Sequence, residues 1–329
     1  MELNPINDNN PLHKIIELEN NNIERYGNIK FNPIKYNGSN LHYGVLRGVN
    51  EASSSIIVYR ILENNVKLFM EGPCRVYDLL RINPSPYILQ ISGNYKIITD
   101  DQPDGRLIVM PHLKGANLQK AINTHGPLSV PHACHMLIQI LSAVAHCHMH
   151  GIALRNITIG NIFFLDEKRR HAILADITKS HIVNYNPDHP EKALVINRPG
   201  AIEYIAPEVF MTREFDAFAA DIYALGVVFF VTLSKRYPFI APTFDLMRQK
   251  VCFGEINWPD NLPPRVMTLL RNMMTRDPNR RPTASTILNE PFMHNLIINQ
   301  GIPIAGQPMS GVVNPIENAQ NNNNQPLIV

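Results

Sequence analysis

Three polar side chains define the chemistry this sequence could do: Asn156 and Asn161 in GIALRNITIGNIFF, and Asp176 shortly after them in ILADITKS. An amide oxygen and a carboxylate are hard donors of the kind that hold magnesium beside a phosphate, so Asn161 and Asp176 read as a site for a divalent cation. Asn156 is a further amide in the same stretch. A side-chain amide is uncharged and takes up no proton at neutral pH, whereas a carboxylate does. The stretch has donors for a metal and lacks a general base. The two metal donors also have plainer readings, Asn161 as a cap on its own loop and Asp176 as a turn residue.

Histidines are the other candidate ligands. PHACHMLIQ and HCHMHG place His132 with His135 and His146 with His150 at helical spacing, so each pair could share a helix face. No carboxylate converges on either pair, and they read as surface or cap residues before they read as zinc ligands. Arg169-Arg170 and Arg280-Arg281 are too short to form nucleic-acid patches.

The elements that must position these residues change character along the chain. Residues 1–30 are rich in Asn and Glu and predict a loosely ordered extension. From Phe31 the runs YGVLRGV, SSIIVYRIL, LQISGNYKII and RLIVMPHL are β-like and bounded by Gly, Asn, Ser or Pro, which predicts an antiparallel sheet over 31–110. One short helix interrupts it in CRVYDLLRINPSPYI, because Gly72-Pro73 blocks a longer one. From 111 to 296 the pattern is helical. SVPHACHMLIQILSAVAHCHMHG has an early Pro131, apolar residues at three and four spacing and a terminating Gly151. DIYALGVVFFVTLS is apolar nearly all round, as a buried central helix would be. Residues 297–329 lack periodicity and predict a flexible tail.

Composition sets outer bounds. The chain has 329 residues with 30 basic and 28 acidic side chains, so its +2 charge gives no global field toward nucleic acid or an anionic membrane. Cys74, Cys134, Cys147 and Cys252 form no CxxC pair and read as reduced, buried thiols. The N-terminus lacks a basic segment followed by an apolar run, and Leu225–Leu233 is short against the roughly 30 Å of a bilayer core, so a cytoplasmic or nuclear protein is expected.

These signals stand in the order of the eukaryotic protein-kinase fold, which the chain resembles over residues 36–295. Leu154, Arg155 and Asn156 occupy its His-Arg-Asp frame, with Asn161 at the Asn that follows. Asp176 takes the metal-binding Asp of Asp-Phe-Gly, where Ile177 and Thr178 replace the other two residues. Ala206, Pro207 and Glu208 match Ala-Pro-Glu, Asp221 resembles the buried Asp of the central helix, and Arg281 the Arg that pairs with Glu208. The resemblance implies an α+β bilobal fold, a small antiparallel sheet over a mainly helical lobe, with Glu208, Asp221 and Arg281 as scaffold. The phosphate-handling positions depart from it. The Gly-rich loop falls on Gly38, Asn40, Tyr43 and Val45; Arg60 replaces the phosphate-pairing Lys; Thr158 replaces the loop Lys. The helix Glu that should pair with Arg60 falls on Val76 in an ungapped frame, and Glu71 is the nearest acid. Gly38, Arg60 and Met110 remain as nucleotide-facing positions, so Mg-ATP is expected to bind weakly at most and no cofactor is required. A weak Ser/Thr kinase using Asn161 and Asp176 is the competing expectation.

Within the kinase-like families the chain resembles Tribbles, a family of pseudokinase adaptors. HCHMHGIALRNITIGNIFF, KSHIV, GAIEYIAPEV, LSKRYPF with LMRQKVCFGEI, and MEGPCRVYDLLRINPSPYI carry the likeness. It implies an adaptor in MAP-kinase signalling and transcription-factor turnover. Its implied partners are a MAP kinase kinase, an E3 ubiquitin ligase and a bZIP (C/EBP-like) transcription factor. The chain departs in keeping Asp176, in a tail whose SGVVNPIENA only partly matches a ligase-docking peptide, and in ILNEPF, where Ile287, Leu288, Pro291 and Phe292 partly match a kinase-kinase docking segment. In any kinase fold that segment also closes a helix.

Overall fold

The structure is a computed structural model. It describes residues 24–26, 29–33, 43–50, 53–61, 75–90, 93–98, 103–111, 113, 116–166, 168–177, 179–183, 194–195 and 201–302, with the strands before 75 and those at 93–111 described by their backbone. Six strands form one antiparallel sheet: β1 (Glu24–Tyr26), β2 (Ile29–Pro33), β3 (Tyr43–Asn50), β4 (Ser53–Ile61), β5 (Gly93–Ile98) and β6 (Pro103–Pro111), in the order β1-β2-β3-β4-β6-β5. The sheet thus begins at Glu24, inside the stretch expected to be a loose extension, because ERY and IKFNP pair with each other and then with β3. Sequence patterning missed them because each run is short and polar.

Helix α1 (Arg75–Ile82) supplies the expected short helix. Its Val76, Tyr77 and Leu80 are buried, so the position where an acid would pair with Arg60 presents an apolar side chain to the core. Glu71 lies outside the described residues. After α1 the chain docks on the lower lobe, where Leu89 N donates to Leu174 O at 2.8 Å and Leu174 N to Tyr87 O at 2.8 Å.

The lower lobe is built on α2 (Leu118–His125), α3 (Val130–Met149), α4 (Pro207–Met211), α5 (Ala217–Ser234), α6 (Phe244–Phe253), α7 (Pro264–Met273), α8 (Ala284–Leu288) and α9 (Pro291–Gln300). Helix α3 runs to Met149, and Gly151 at φ 69° turns the chain out of it, a conformation that costs glycine little. Helix α5 begins where the Asp216 side chain accepts from Phe218 N and Ala219 N. By length and composition α3 and α5 could each cross a membrane, but 78% and 67% of their most apolar windows lie buried inside the fold, as core helices do. Close approach decides one residue: a Cβ on Gly226 of α5 would stand 2.7 Å from Met274 Cγ and 3.1 Å from Met273 Cβ. Helix α9 continues to Gln300, past the expected end of the lobe at 296. Cys134, Cys147 and Cys252 are buried free thiols, and burial pushes the Cys134 thiol up to about 11; Cys74 lies outside the described residues.

Candidate functional site

The catalytic-loop frame hangs from Asp221. This buried carboxylate near the start of α5 accepts from Leu154 N at 2.8 Å, Arg155 N at 2.7 Å and His148 Nε2 at 3.0 Å. His148 stacks on Phe218, which fixes its ring. Arg155 is held at φ 61°, a strained region for a side chain with a Cβ, and the backbone bonds to Asp221 keep it there. Burial pulls the Arg155 guanidinium below its ordinary value, and the Asp221 charge opposes that shift.

The next residues knit the loop to itself. Asn161 Nδ2 donates to Asn156 O at 3.0 Å and Ala175 N donates to Asn161 O at 2.9 Å, so Asn161 bridges both sides of the site. Asn156 Nδ2 donates to Asp176 Oδ2 at 3.3 Å. From outside, Asn117 Nδ2 reaches Gly160 O at 3.2 Å and Ile159 N donates to Tyr204 Oη at 3.4 Å, whose own partner is Tyr237 Oη. Two short hairpins frame the centre: β7 (Ile152–Ala153) with β10 (His181–Ile182), and β8 (Ile162–Phe164) with β9 (Ala172–Leu174).

Asn156, Asn161 and Asp176 are therefore brought together as the sequence suggests. The plainer reading of Asn161 also holds, since its amide N–H caps the loop backbone. With Nδ2 so used, Asn161 Oδ1 is the atom it has left for a cation, and with the Asp176 carboxylate it makes an all-oxygen pair that suits magnesium. By donor chemistry these residues fit the ion. No group of three or more His, Cys, Asp or Glu side chains that could hold a metal ion occurs among the described residues.

Of the nucleotide-facing positions, Gly38 lies outside the described residues. Arg60 and Met110 are placed by backbone register, Arg60 of β4 between Gly44 and Leu107, and Met110 of β6 opposite Ile57. Beside Asn156 and Thr158 a cavity open to solvent runs down to α5. Ala201, Ala206, Ala217, Ala220 and Ala224 line it together with larger side chains, among them Tyr204, Ile205 and Phe215. Neither Ala201 nor Tyr204 was legible as a site residue from the sequence, because alanine and tyrosine carry no spacing signature of their own.

The scaffold residues meet as expected. Arg281 Nη1 and Nη2 donate to the two oxygens of Glu208, the second at 2.6 Å, and the remaining donors reach Ala219 O, Arg276 O and Thr275 O. The guanidinium also lies 5.0 Å from the Tyr223 ring centroid.

Other expectations change. Ile287 and Leu288 are buried in the core, so of the four matching residues of the docking segment exposed Pro291 and half-buried Phe292 are the ones solvent reaches. Ring nitrogens of both histidine pairs are taken up by main-chain or hydroxyl oxygens: His146 Nε2 is 2.8 Å from Asn83 O, His150 Nδ1 bonds His146 O, His132 meets Ser129, and His135 meets Arg170 O. His146 is buried, not the surface residue its position at the end of a helix suggests. Ser180 is buried, and its Oγ donates to Leu154 O at 3.5 Å.

Comparison with known proteins agrees with this geometry. The family model for the protein kinase domain matches residues 44–293. Tribbles homolog 2 of Bos taurus is 30% identical over 224 residues, covering 67% of this chain and 64% of the relative. Tribbles homolog 1 of Homo sapiens is 30% identical over 166 residues, 50% of this chain and 43% of its own length. The mitosis inducer protein kinase cdr1 of Schizosaccharomyces pombe is 28% identical over 215 residues, 65% of this chain and 34% of its own length. The chain thus spans less than two thirds of the length of each of these relatives. Among solved structures, Rad53 1-466 in complex with AMP-PNP superposes with a TM-score of 0.62 at 21% identity, covering 80% of this chain and 65% of that one, a likeness of fold alone. With a kinase-domain match over most of its described length and Tribbles homologues among the proteins it resembles, the chain belongs to the protein kinase domain family and is Tribbles-like within it.

Proposed function

We propose that this protein works by binding partners and transfers no phosphate. One observation carries the reading: at the position of the catalytic base stands the Asn156 amide, a hydrogen-bond donor directed at Asp176. A proton acceptor is missing where the substrate hydroxyl would need one, and general-base catalysis alone is worth about 10²- to 10⁴-fold. Thr158 in place of the loop Lys removes a positive charge, and Arg60 in place of the phosphate-pairing Lys keeps the charge on a bulkier, planar group; phosphoryl transfer depends chiefly on positioning and charge stabilisation. The preserved scaffold keeps a surface to bind with. Met211 on α4, Ile240 in the loop after α5, and Phe244 and Phe253 on α6 are large apolar side chains left more than half exposed, as interaction surfaces often are.

The Tribbles likeness gives the partners their classes: a MAP kinase kinase, an E3 ubiquitin ligase and a bZIP transcription factor, met in the cytoplasm or nucleus. Magnesium and ATP are not required for this role. Were the nucleotide to enter, Asn161 Oδ1 and Asp176 would be the residues to hold its metal ion, which would shield the phosphates' charge. The test is transfer of labelled phosphate from ATP to a generic acceptor protein, with Asp176→Ala as control. No transfer above that control is expected, and transfer that Asp176→Ala abolishes would establish a weak Ser/Thr kinase instead.

A further inference from the structure

We infer that the turn between β8 and β9, with the outer face of β8 and the start of α2, is a docking surface for an acidic, partly apolar peptide segment of a partner protein. The inference rests on reading the protein as a partner binder and names the chemistry of one partner. Lys168 and Arg170 are exposed and Arg169 half-buried, and no ion pair among the described residues takes up any of the three. The described carboxylate of this turn, Asp166, is spent on the turn itself: it accepts from Arg170 N at 3.1 Å, His171 N at 2.8 Å and His171 Nδ1 at 3.0 Å. Glu167 lies outside the described residues. Between Asp104 and Asp166 the sequence has no acidic residue, so α2, α3 and β8 bring no compensating charge.

The cations stand on a fixed base. Arg169 N donates to Asp166 O at 3.0 Å, while Gln139 of α3 donates through Nε2 to Arg170 O at 2.9 Å and accepts from Ala172 N at 2.8 Å. His135 Nε2 meets the same Arg170 carbonyl at 2.9 Å. Arg169 sits at φ 57°, a left-handed conformation that Gly or Asn adopts at lower cost. An arginine kept there on an anchored turn lowers the ordering cost of pairing with a partner's carboxylate. Beside the turn, Ile162 and Phe164 of β8 are buried, while Phe163 and the following Leu165 are half-buried. Asn117, the N-cap of α2, bridges to Phe163, and exposed Lys120 stands one turn further on. Cations on both sides of an apolar strip fit a segment that mixes Asp or Glu with large apolar residues. Nucleic-acid binders neutralise about 6–10 phosphates, more than Lys120, Lys168, Arg169 and Arg170 can meet.

The test uses the full chain and a short dye-labelled peptide of Glu and Leu, read by fluorescence anisotropy against the same peptide with Lys in place of Glu. The Glu peptide should bind, more weakly as salt rises, and the Lys peptide should not. Lys168→Glu with Arg170→Glu should weaken binding by about tenfold or more at an unchanged melting temperature, and Lys168→Arg with Arg170→Lys should bind as the wild type does. If the reversed pair melts lower, Lys120→Glu on α2 carries the test instead. Failure of the Glu peptide to bind, or equal binding by the reversed variant, would overturn the inference. So would tighter binding of a poly-uridine strand or of phosphatidylserine vesicles that the same variant loses, since the surface would then serve nucleic acid or lipid. Phosphate transfer by the wild type would refute the binding-only reading and leave these affinities untouched, so the two ideas fail separately.

Discussion

The Glu208–Arg281 pair and the Asn156–Asp176 pair both lie in the lower lobe, yet they are built to different standards. Arg281 spends every guanidinium donor on a partner, with two parallel bonds to Glu208 and three to main-chain carbonyls. Asp221 is similar, a buried carboxylate accepting from two backbone amides and one imidazole. Asn156 reaches Asp176 through one bond of 3.3 Å between a neutral group and a charge. Burying charge is tolerated only where partners are complete. The first region is therefore what the fold requires; the second is where sequence could change without losing the lobe.

The comparison breaks most decisively at Arg281. Arg281→Ala leaves a buried Glu208 carboxylate and should cost about 3–5 kcal/mol in a denaturant titration. Asp221→Ala should cost about 1–3 kcal/mol for each backbone donor it orphans at Leu154 and Arg155, and should raise hydrogen exchange at those amides. Gly226→Val should cost about 1–3 kcal/mol through overpacking against Met273 and Met274, read as a lower melting temperature. Asn156→Ala should cost no more than about 1 kcal/mol, since it removes one bond. A loss as large as that of Arg281→Ala would erase the contrast.

A pH scan sharpens the picture at the smallest scale. Burial lowers the His146 pKa, the His150 charge adds to that, and the bond to the Asn83 carbonyl opposes it. The unfolded chain takes up this proton as pH falls through about 6.5, the folded chain only below that. Stability from burying neutral His146 is thus complete above that pH and is lost as pH falls toward the lowered value. Burial and the Arg155 charge shift His181 the same way. Melting temperature should fall from pH 7 to 5, and His146→Gln should flatten part of the slope.

The lower lobe was largely readable in the sequence because its signals are strong and redundant. Helices α3 and α5 show in apolar spacing, Glu208 and Asp221 are charged residues in largely buried segments, and Arg281 is picked out by its place in the kinase-like order although its chain neighbours are exposed. Strands β1 and β2 were not readable, since a three-residue and a five-residue run hold together only by pairing into the sheet. At the site, Asn156, Asn161 and Asp176 stood out by type. The supports His148, Tyr204 and Asn117 did not, because what makes each matter is a partner far away along the chain. Ile287 and Leu288 show the reverse error, a likeness of sequence on residues that the fold uses as core.

The bond between Glu208 and Arg281 spans 73 positions of the chain. During synthesis at about 5–20 residues per second, Glu208 must wait several seconds for its counterion. Until Arg281 emerges from the ribosome, α4 and α5 carry a carboxylate they cannot bury at low cost. The lower lobe is therefore completed only once Arg281 has emerged, and a nascent chain arrested just before Arg281 should remain sensitive to protease where one arrested well beyond it is protected.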